Sequence, residues 1–297
     1  MASASREPST SSQLKDTLRQ HHLRANKRMG QHFLIDRGIH RAIAAAANLT
    51  TEDTVIEVGP GTGLLTTELC ASAGEVIAVE LDRNMVALLH ETFADAANVH
   101  VVEGDILTLP PDHLLAAHSS RHATSYKVVA NLPYNITSPV LRHFLHCAIR
   151  PSVMVVMVQE EVGRSIAAPP GDMRLLSVSV QAFARPSVVR KVSAHSFLPP
   201  PKVASLVLRL DVLESPPVST GEVAGFLDFV GAGFHSPRKQ LRNSFGHGLC
   251  APREEVDELL ARGSIEPTRR PETLTIDEWG RLWRIHKAMP HDERSPC

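Results

Sequence analysis

Cysteine is scarce in this chain and poorly placed for cross-linking. Cys70, Cys147, Cys250 and Cys297 form no C-x-x-C pair and no metal-ligand spacing, so free thiols in a reducing compartment are expected and no structural disulfide. The sixteen histidines are scattered, with only His21 and His22 adjacent, which argues against a metal site. No stretch approaches the roughly eighteen consecutive apolar residues of a membrane-spanning helix. The Ser-rich start, Met1–Ser12, also lacks the apolar core of a signal peptide. It carries some arginine, as mitochondrial transit peptides do, but its composition reads more simply as a disordered leader of a bacterial cytoplasmic protein. An excess of one charge is missing as well. With a formal net charge of −1 the chain is no polyelectrolyte, and any contact with nucleic acid must come from local charge.

Local charge does segregate. Up to Leu34 the bases Arg6, Lys15, Arg19, Arg24, Lys27 and Arg28 face only Glu7 and Asp16, and from Ala182 to Leu210 five bases, Lys202 among them, occur without any acid. At 297 residues, 43% of them hydrophobic, the chain can build one main domain and a smaller one. We expect a leader over 1–12, an α/β domain over 13–211, and a small helical domain over 212–297 that begins in the Pro- and Ser-rich segment after Asp211.

The main domain is organised around V-I-E-V-G-P-G-T-G, Val55–Gly63. An apolar strand breaks into a turn with Gly59, Gly61 and Gly63 on alternate positions, and a helix follows from Leu64. A dinucleotide fold would place its third glycine where Leu64 and Leu65 stand, so a nicotinamide dinucleotide is disfavoured. The next apolar strand ends in Glu80, where a carboxylate can take both hydroxyls of a ribose, and the strand after it leads through Glu103 and Gly104 to Asp105. Three strand-end signals without a pyrophosphate grip suit S-adenosylmethionine. Strands and helices alternate through Gln159, which predicts a doubly wound α/β sheet; Asp36 is a candidate N-cap for a helix running to Asn48. After about Asp211 the pattern is helical, over Val223–Gly233, Arg238–Gly246, Pro252–Arg262 and Ile276–Met289.

Asn131-Leu132-Pro133-Tyr134 follows a further apolar strand, at the end where open α/β sheets place their ligands. Such a segment suits methylation of an exocyclic adenine amine, whose lone pair is delocalised into the ring. The Asn131 side-chain oxygen and a backbone carbonyl of Leu132 or Pro133 can each accept one N–H and concentrate the lone pair on nitrogen, while Tyr134 stacks on the base. An ordinary turn would use the same residue types, and it is the glycine turn upstream that favours the chemical reading. Arg238, Lys239 and Arg242 fit a phosphate-binding helix face, with a solvated charged face as the plain alternative. Glu57 is expected to bind backbone N–H groups of the turn rather than a ligand.

Taken together, V-I-E-V-G-P-G-T-G, V-E-L-D at Val79–Asp82, E-G-D at Glu103–Asp105, N-L-P-Y-N at Asn131–Asn135, F-L-P-P-P-K-V at Phe197–Val203 and R-K-Q-L-R-N-S at Arg238–Ser244 resemble the small-subunit ribosomal RNA adenine N6,N6-dimethyltransferases. The resemblance runs over roughly residues 14–285. It implies an S-adenosylmethionine-dependent Rossmann-like domain followed by a small helical domain, S-adenosylhomocysteine as product, no metal, and dimethylation of two adjacent adenines in the 3′-terminal hairpin loop of small-subunit rRNA within an assembling particle. It further implies that the G-Q-H-F-L segment closes over the cofactor with His32 and Leu34 at binding positions. Gly59 then lies under the methionine part, Asp105 accepts from the cofactor's adenine amine, and Phe197 packs on the target base opposite Tyr134. Lys27, Arg28, Lys202, Arg238, Lys239 and Arg242 are the expected RNA contacts, and a monomer is the default.

His32 stands where the family commonly has Asn, and the Gly171–Ser177 loop lacks its frequent Tyr-Gly. Three other readings compete: a large-subunit rRNA methyltransferase conferring antibiotic resistance, a mono-methylating DNA enzyme, and a non-catalytic assembly or transcription factor on the same fold. Leu132, in a position where the DNA enzymes usually carry a second proline, counts against the second. The intact Gly59, Glu80, Asp105 and Asn131 count against the third.

Overall fold

The computed structural model describes residues 32–119 and 125–289. The chain divides into two compact units: one takes residues up to Phe144 together with Ile149–Gly163 and Ser187–Val212, and the other takes Leu145–Ala148, Arg164–Pro186 and everything from Leu213.

The first unit is built on strands whose β-branched runs leave no polar face. These are β2 (Thr54–Val58), β3 (Glu75–Glu80), β4 (Val99–Glu103), β5 (Lys127–Asn131) and β6 (Val153–Gln159). They lie in the order β4-β3-β2-β5-β6 and are all parallel, with Val55 beside Val76, Glu80 beside Glu103 and Asn131 beside Met157. Apart from β4 the strands are almost entirely buried, as parallel strands covered on both faces must be. The sheet continues with β9 (Ser205–Val212), antiparallel to β6, and ends on β7 (Ala184–Val192). The connecting helices are α1 (Arg37–Ala46), α2 (Leu64–Cys70), α3 (Arg83–Thr92), α4 (Pro111–His118) and α5 (Thr137–Leu145), and α6 (Glu160–Ile166) follows β6; α7 (Leu175–Gln181) belongs to the second unit. Asp36 caps α1 as expected, accepting from the N–H groups of Gly38 at 2.8 Å and Ile39 at 3.3 Å. One face of the sheet packs Ile39, Ile43 and Leu69 from these helices onto Val55, Val129 and Met157.

Three strands have no counterpart in the sequence pattern. Strand β7 carries Pro186 and is largely exposed, so it shows no clean alternation; at a sheet edge a proline is tolerated because its missing N–H has no partner to lose. A two-residue antiparallel ladder joins β1 (Phe33–Leu34) to β8 (Phe197–Leu198).

The second unit gathers α8 (Val223–Gly233), α9 (Leu241–Gly248), α10 (Arg253–Arg262) and α11 (Ile276–Ala288) around aromatic rings. Phe229 lies 4.9 Å from Phe245 and 5.7 Å from Trp283, and Trp279 is fully buried beside Phe234. Thr275 and Glu278 form a capping box on α11, and the Arg269 guanidinium holds both oxygens of Glu278 at 2.6 and 3.0 Å.

Cys70 and Cys147 are free thiols. No described helix is long and apolar enough to cross a membrane, and no group of three or more acidic, His or Cys side chains among the described residues is arranged to hold a metal ion.

Candidate active site

The carboxyl ends of four adjacent parallel strands bring the sequence signals together. After β2 the chain passes through Gly59, Gly61 and Gly63 at φ of 65, 57 and 78°, a region that L side chains rarely enter. Strand β3 holds this turn. The Gly59 N–H donates to the Val79 carbonyl at 2.9 Å, and the Gly61 N–H donates to Glu80 Oε2 at 3.0 Å. Glu80 Oε1 accepts from the N–H groups of Leu81 and Asp82, both at 2.9 Å. Burial pushes the Glu80 pKa up, and these three N–H groups pull against it. A carboxylate offers about four acceptor positions, so one is left for a ligand. Asp105 follows β4 after Glu103 and Gly104 and caps the short turn Ile106–Thr108 through the Leu107 N–H at 3.0 Å.

Asn131 closes β5. The Leu132 N–H donates to the Met157 carbonyl at 3.2 Å and the Leu132 side chain is buried, which fixes the backbone on which Pro133 and Tyr134 stand. The Tyr134 hydroxyl lies 2.8 Å from Ser205 Oγ, and its ring stacks on His32 with centroids 5.7 Å apart at 27°. His32 Nδ1 is 2.8 Å from the Pro199 carbonyl and so carries the ring proton. His32, Gly59, Gly61, Glu80, Asp105, Asn131, Leu132, Pro133 and Tyr134 all line one cavity of about 230 Å³, and no Lys or Arg lines it among the described residues.

Other expected residues fall elsewhere. Gly63 serves as the N-cap of α2 and does not line the cavity. Leu34 is buried and faces a second, smaller chamber. Phe197, expected against the target base, is 2% exposed and packed in the apolar cluster with Leu34 and Ile39, because its pairing with Leu34 turns the ring into the core. Glu57 binds no backbone N–H; it is wholly buried with Oε2 unpartnered. Arg238 and Lys239 are exposed but lie in the turn before α9, so they share no helix face with Arg242. Arg242 is held by Asp257 at 2.5 Å. Lys202 is exposed beside the antiparallel β9, while Lys27 and Arg28 lie outside the described residues.

Sequence reasoning missed Ser205 and Pro199, which position Tyr134 and His32 from about seventy or more residues away, and it missed the apolar wall of Leu81 and Ile106. Only Leu81 left a signal: a large apolar residue, 53% exposed, directly after the strand-end acid.

A crevice of strand-end acids and a glycine turn, with an Asn-Leu-Pro-Tyr wall, defines a class that comparison with known proteins makes specific. The sequence model of the family described as "Ribosomal RNA adenine dimethylase" matches residues 22–286, and the chain belongs to that family. It is 43% identical over 283 residues to a Dehalococcoides mccartyi protein named "Ribosomal RNA small subunit methyltransferase A", covering 95% of this chain and 96% of that protein. A Moorella thermoacetica protein of the same name is 44% identical over 263 residues, covering 87% and 91%. Among solved structures, a dimethyladenosine transferase from Plasmodium falciparum superposes with a TM-score of 0.72 at 25% identity, covering 85% of this chain and 96% of that one. The 23S rRNA methyltransferase ErmE gives 0.66 at 27%, covering 85% and 98%. The chain is thus an S-adenosylmethionine-dependent rRNA adenine dimethyltransferase on a Rossmann-like fold. The cavity fits that cofactor: it offers acidic acceptors for a nucleoside and no cationic grip for a pyrophosphate.

Proposed function

We propose that the protein dimethylates two adjacent adenines in the 3′-terminal hairpin loop of small-subunit rRNA, acting on an assembling particle in the bacterial cytoplasm. The observation that carries this reading is the convergence of Glu80, Asp105, the glycine turn and Asn131–Tyr134 on a single cavity. The choice of the small subunit is supported by the names of the Dehalococcoides and Moorella relatives.

In this reading Glu80 receives a ribose hydroxyl of the cofactor at its one remaining acceptor position and Asp105 its adenine amine, with Leu81 and Ile106 as apolar walls. His32 and Leu34 belong to the segment that closes over it, and Gly59 lies under the methionine end. S-adenosylmethionine supplies an electrophilic methyl group on a sulfonium. Asn131 Oδ1 and the carbonyl of Leu132 or Pro133 accept the two N–H bonds of the target amine and draw its lone pair out of the ring, while Tyr134, fixed by Ser205 and His32, stacks on the base. The nitrogen lone pair forms the N–C bond as the C–S bond breaks toward sulfur, and the amine proton leaves to water. A second round repeats the step on the mono-methylated amine, and no strong base is needed. Extruding each adenine costs a few kcal/mol, which stacking of roughly 1–3 kcal/mol per base offsets. Lys27, Arg28, Lys202, Arg238 and Lys239 are the RNA contacts in this reading, Arg242 being held by Asp257, and the helical unit serves as a further ribosome-contacting surface.

The test is transfer of labelled methyl from S-adenosylmethionine to undermethylated small subunits, with digested products resolved by degree of methylation. Dimethyladenosine from small subunits is the expected result. Label in large-subunit rRNA instead would move the assignment to that substrate, and cofactor binding without any transfer would make the protein a binding factor.

A further inference from the structure

Behind the glycine turn lies a second chamber of about 30 Å³ that shares Gly59 and Asn131 with the main cavity. His40 and Glu57 line it, and they are 3% and 1% exposed. His40 Nδ1 and Glu57 Oε2 find no hydrogen-bond partner among the described residues. Nothing in the reaction described above uses either residue.

Burial disfavours the charged form of both. Burial raises the Glu57 pKa to about 8; the Thr66 hydroxyl opposes this slightly, and the Glu80 charge adds to it. Burial lowers the His40 pKa to about 4, with Asp36 opposing and Arg37 reinforcing. The Cys70 thiol, also raised chiefly by burial, is the remaining titratable group that feels Glu57. A carboxylic acid and a neutral imidazole each supply one donor and one acceptor. A recess of this size holds one or two waters, provided that two to four polar groups surround them.

We propose that Glu57 and His40 are positioning residues for Asn131: they hold a buried water that accepts from the Asn131 amide nitrogen, so that the amide oxygen is turned toward the main cavity. This inference rests on the reading of Asn131 as acceptor for the target amine. An amide flipped the other way would present donors to an amine that needs acceptors, so the identity of the group behind Asn131 decides whether its front face is productive. Thr62, at the same chamber, lies within the turn itself.

Two measurements test it. A high-resolution crystal structure of the wild-type protein with S-adenosylhomocysteine is expected to show a water within hydrogen-bond reach of both Asn131 Nδ2 and Glu57; a dry chamber overturns the inference whatever the activity. In steady state, His40→Leu and Glu57→Leu are expected to lower kcat at least tenfold with cofactor Kd within twofold of wild type, and Glu57→Gln, which keeps a neutral donor and acceptor, to recover activity to within about threefold. Loss of cofactor affinity in step with kcat, or no rescue by Gln, would reduce both residues to supports of the turn. Should Asn131→Ala abolish kcat while the two Leu variants keep it, only this inference falls. Full activity of Asn131→Ala would remove the reading of Asn131 itself.

Discussion

Replacing Glu57 by Gln is expected to stabilise the protein, and by an amount that depends on pH. The ordinary pKa of this carboxyl is 4.5, and burial raises it to about 8 in the folded state. Between those values the native state holds a proton that the unfolded chain releases, so stability is full below about pH 4.5 and is lost as pH rises toward 8. Each pH unit travelled between the two values removes about 1.4 kcal/mol, which puts the loss at pH 7 at about 3 kcal/mol. Gln cannot ionise, and its folding carries no such slope. Chemical denaturation of both proteins at intervals from pH 4.5 to 8.5 gives the difference directly. It is expected to grow from about pH 5, by up to about 1.4 kcal/mol for each pH unit, and to level near pH 8. His40 has the opposite sign: its folded pKa of about 4 lies below the usual 6.5, so stability is lost as pH falls through that window. That contribution is common to both proteins and cancels. A difference that stays constant across the range would show that Glu57 does not change its protonation on folding and would refute the argument.

Further outcomes follow from the geometry. Gly63→Ala places a Cβ 2.7 Å from Phe93 at a φ of 78°, and thermal unfolding should register about 1–3 kcal/mol of destabilisation; an unchanged midpoint would mean that the turn relaxes freely. Glu80→Gln puts an amide where three N–H groups need acceptors, and calorimetric affinity for S-adenosylhomocysteine is expected to fall at least about tenfold, at roughly 1.5–3 kcal/mol per charged hydrogen bond. Equal affinity would take Glu80 out of the cofactor site. Gly233→Ala brings a Cβ to 2.4 Å from the Trp279 ring, and since both tryptophans lie in the helical unit, near-ultraviolet circular dichroism should lose intensity; an unaltered spectrum would show that the rings repack without cost.

The sheet was legible because burial on both faces leaves a plain record in β2, β3 and β6: apolar runs, interrupted only by Glu57 in β2, ended by Gly, Glu or Gln. Asp36 was legible for a related reason, since a cap acts within three residues of itself. What escaped the sequence is what depends on distant partners. The β1–β8 ladder is too short to carry periodicity, and its formation is what buries Phe197; read alone, a Phe beside three prolines suggests an exposed wall. Arg242 has the look of a phosphate ligand until Asp257 is brought against it from the next helix. Strand β7 lacks a pattern because an exposed edge does not require one. Within the site, the strand-end acids and Asn131 could be read from position alone. The supports from Ser205 and Pro199 could not.

The contact between His32 and Pro199 spans 167 residues of sequence, and the β1–β8 ladder beside it spans nearly as many. During synthesis at roughly 5–20 residues per second, the first partner waits about 10–30 s for the second to be made. Over that interval Phe33 and Leu34 are two apolar side chains with no ladder to join, and the wall that seats Tyr134 does not exist. The front of the cavity is therefore among the last parts of this unit to form, and the nascent chain acquires a competent cofactor pocket only when nearly all of the sheet has been translated.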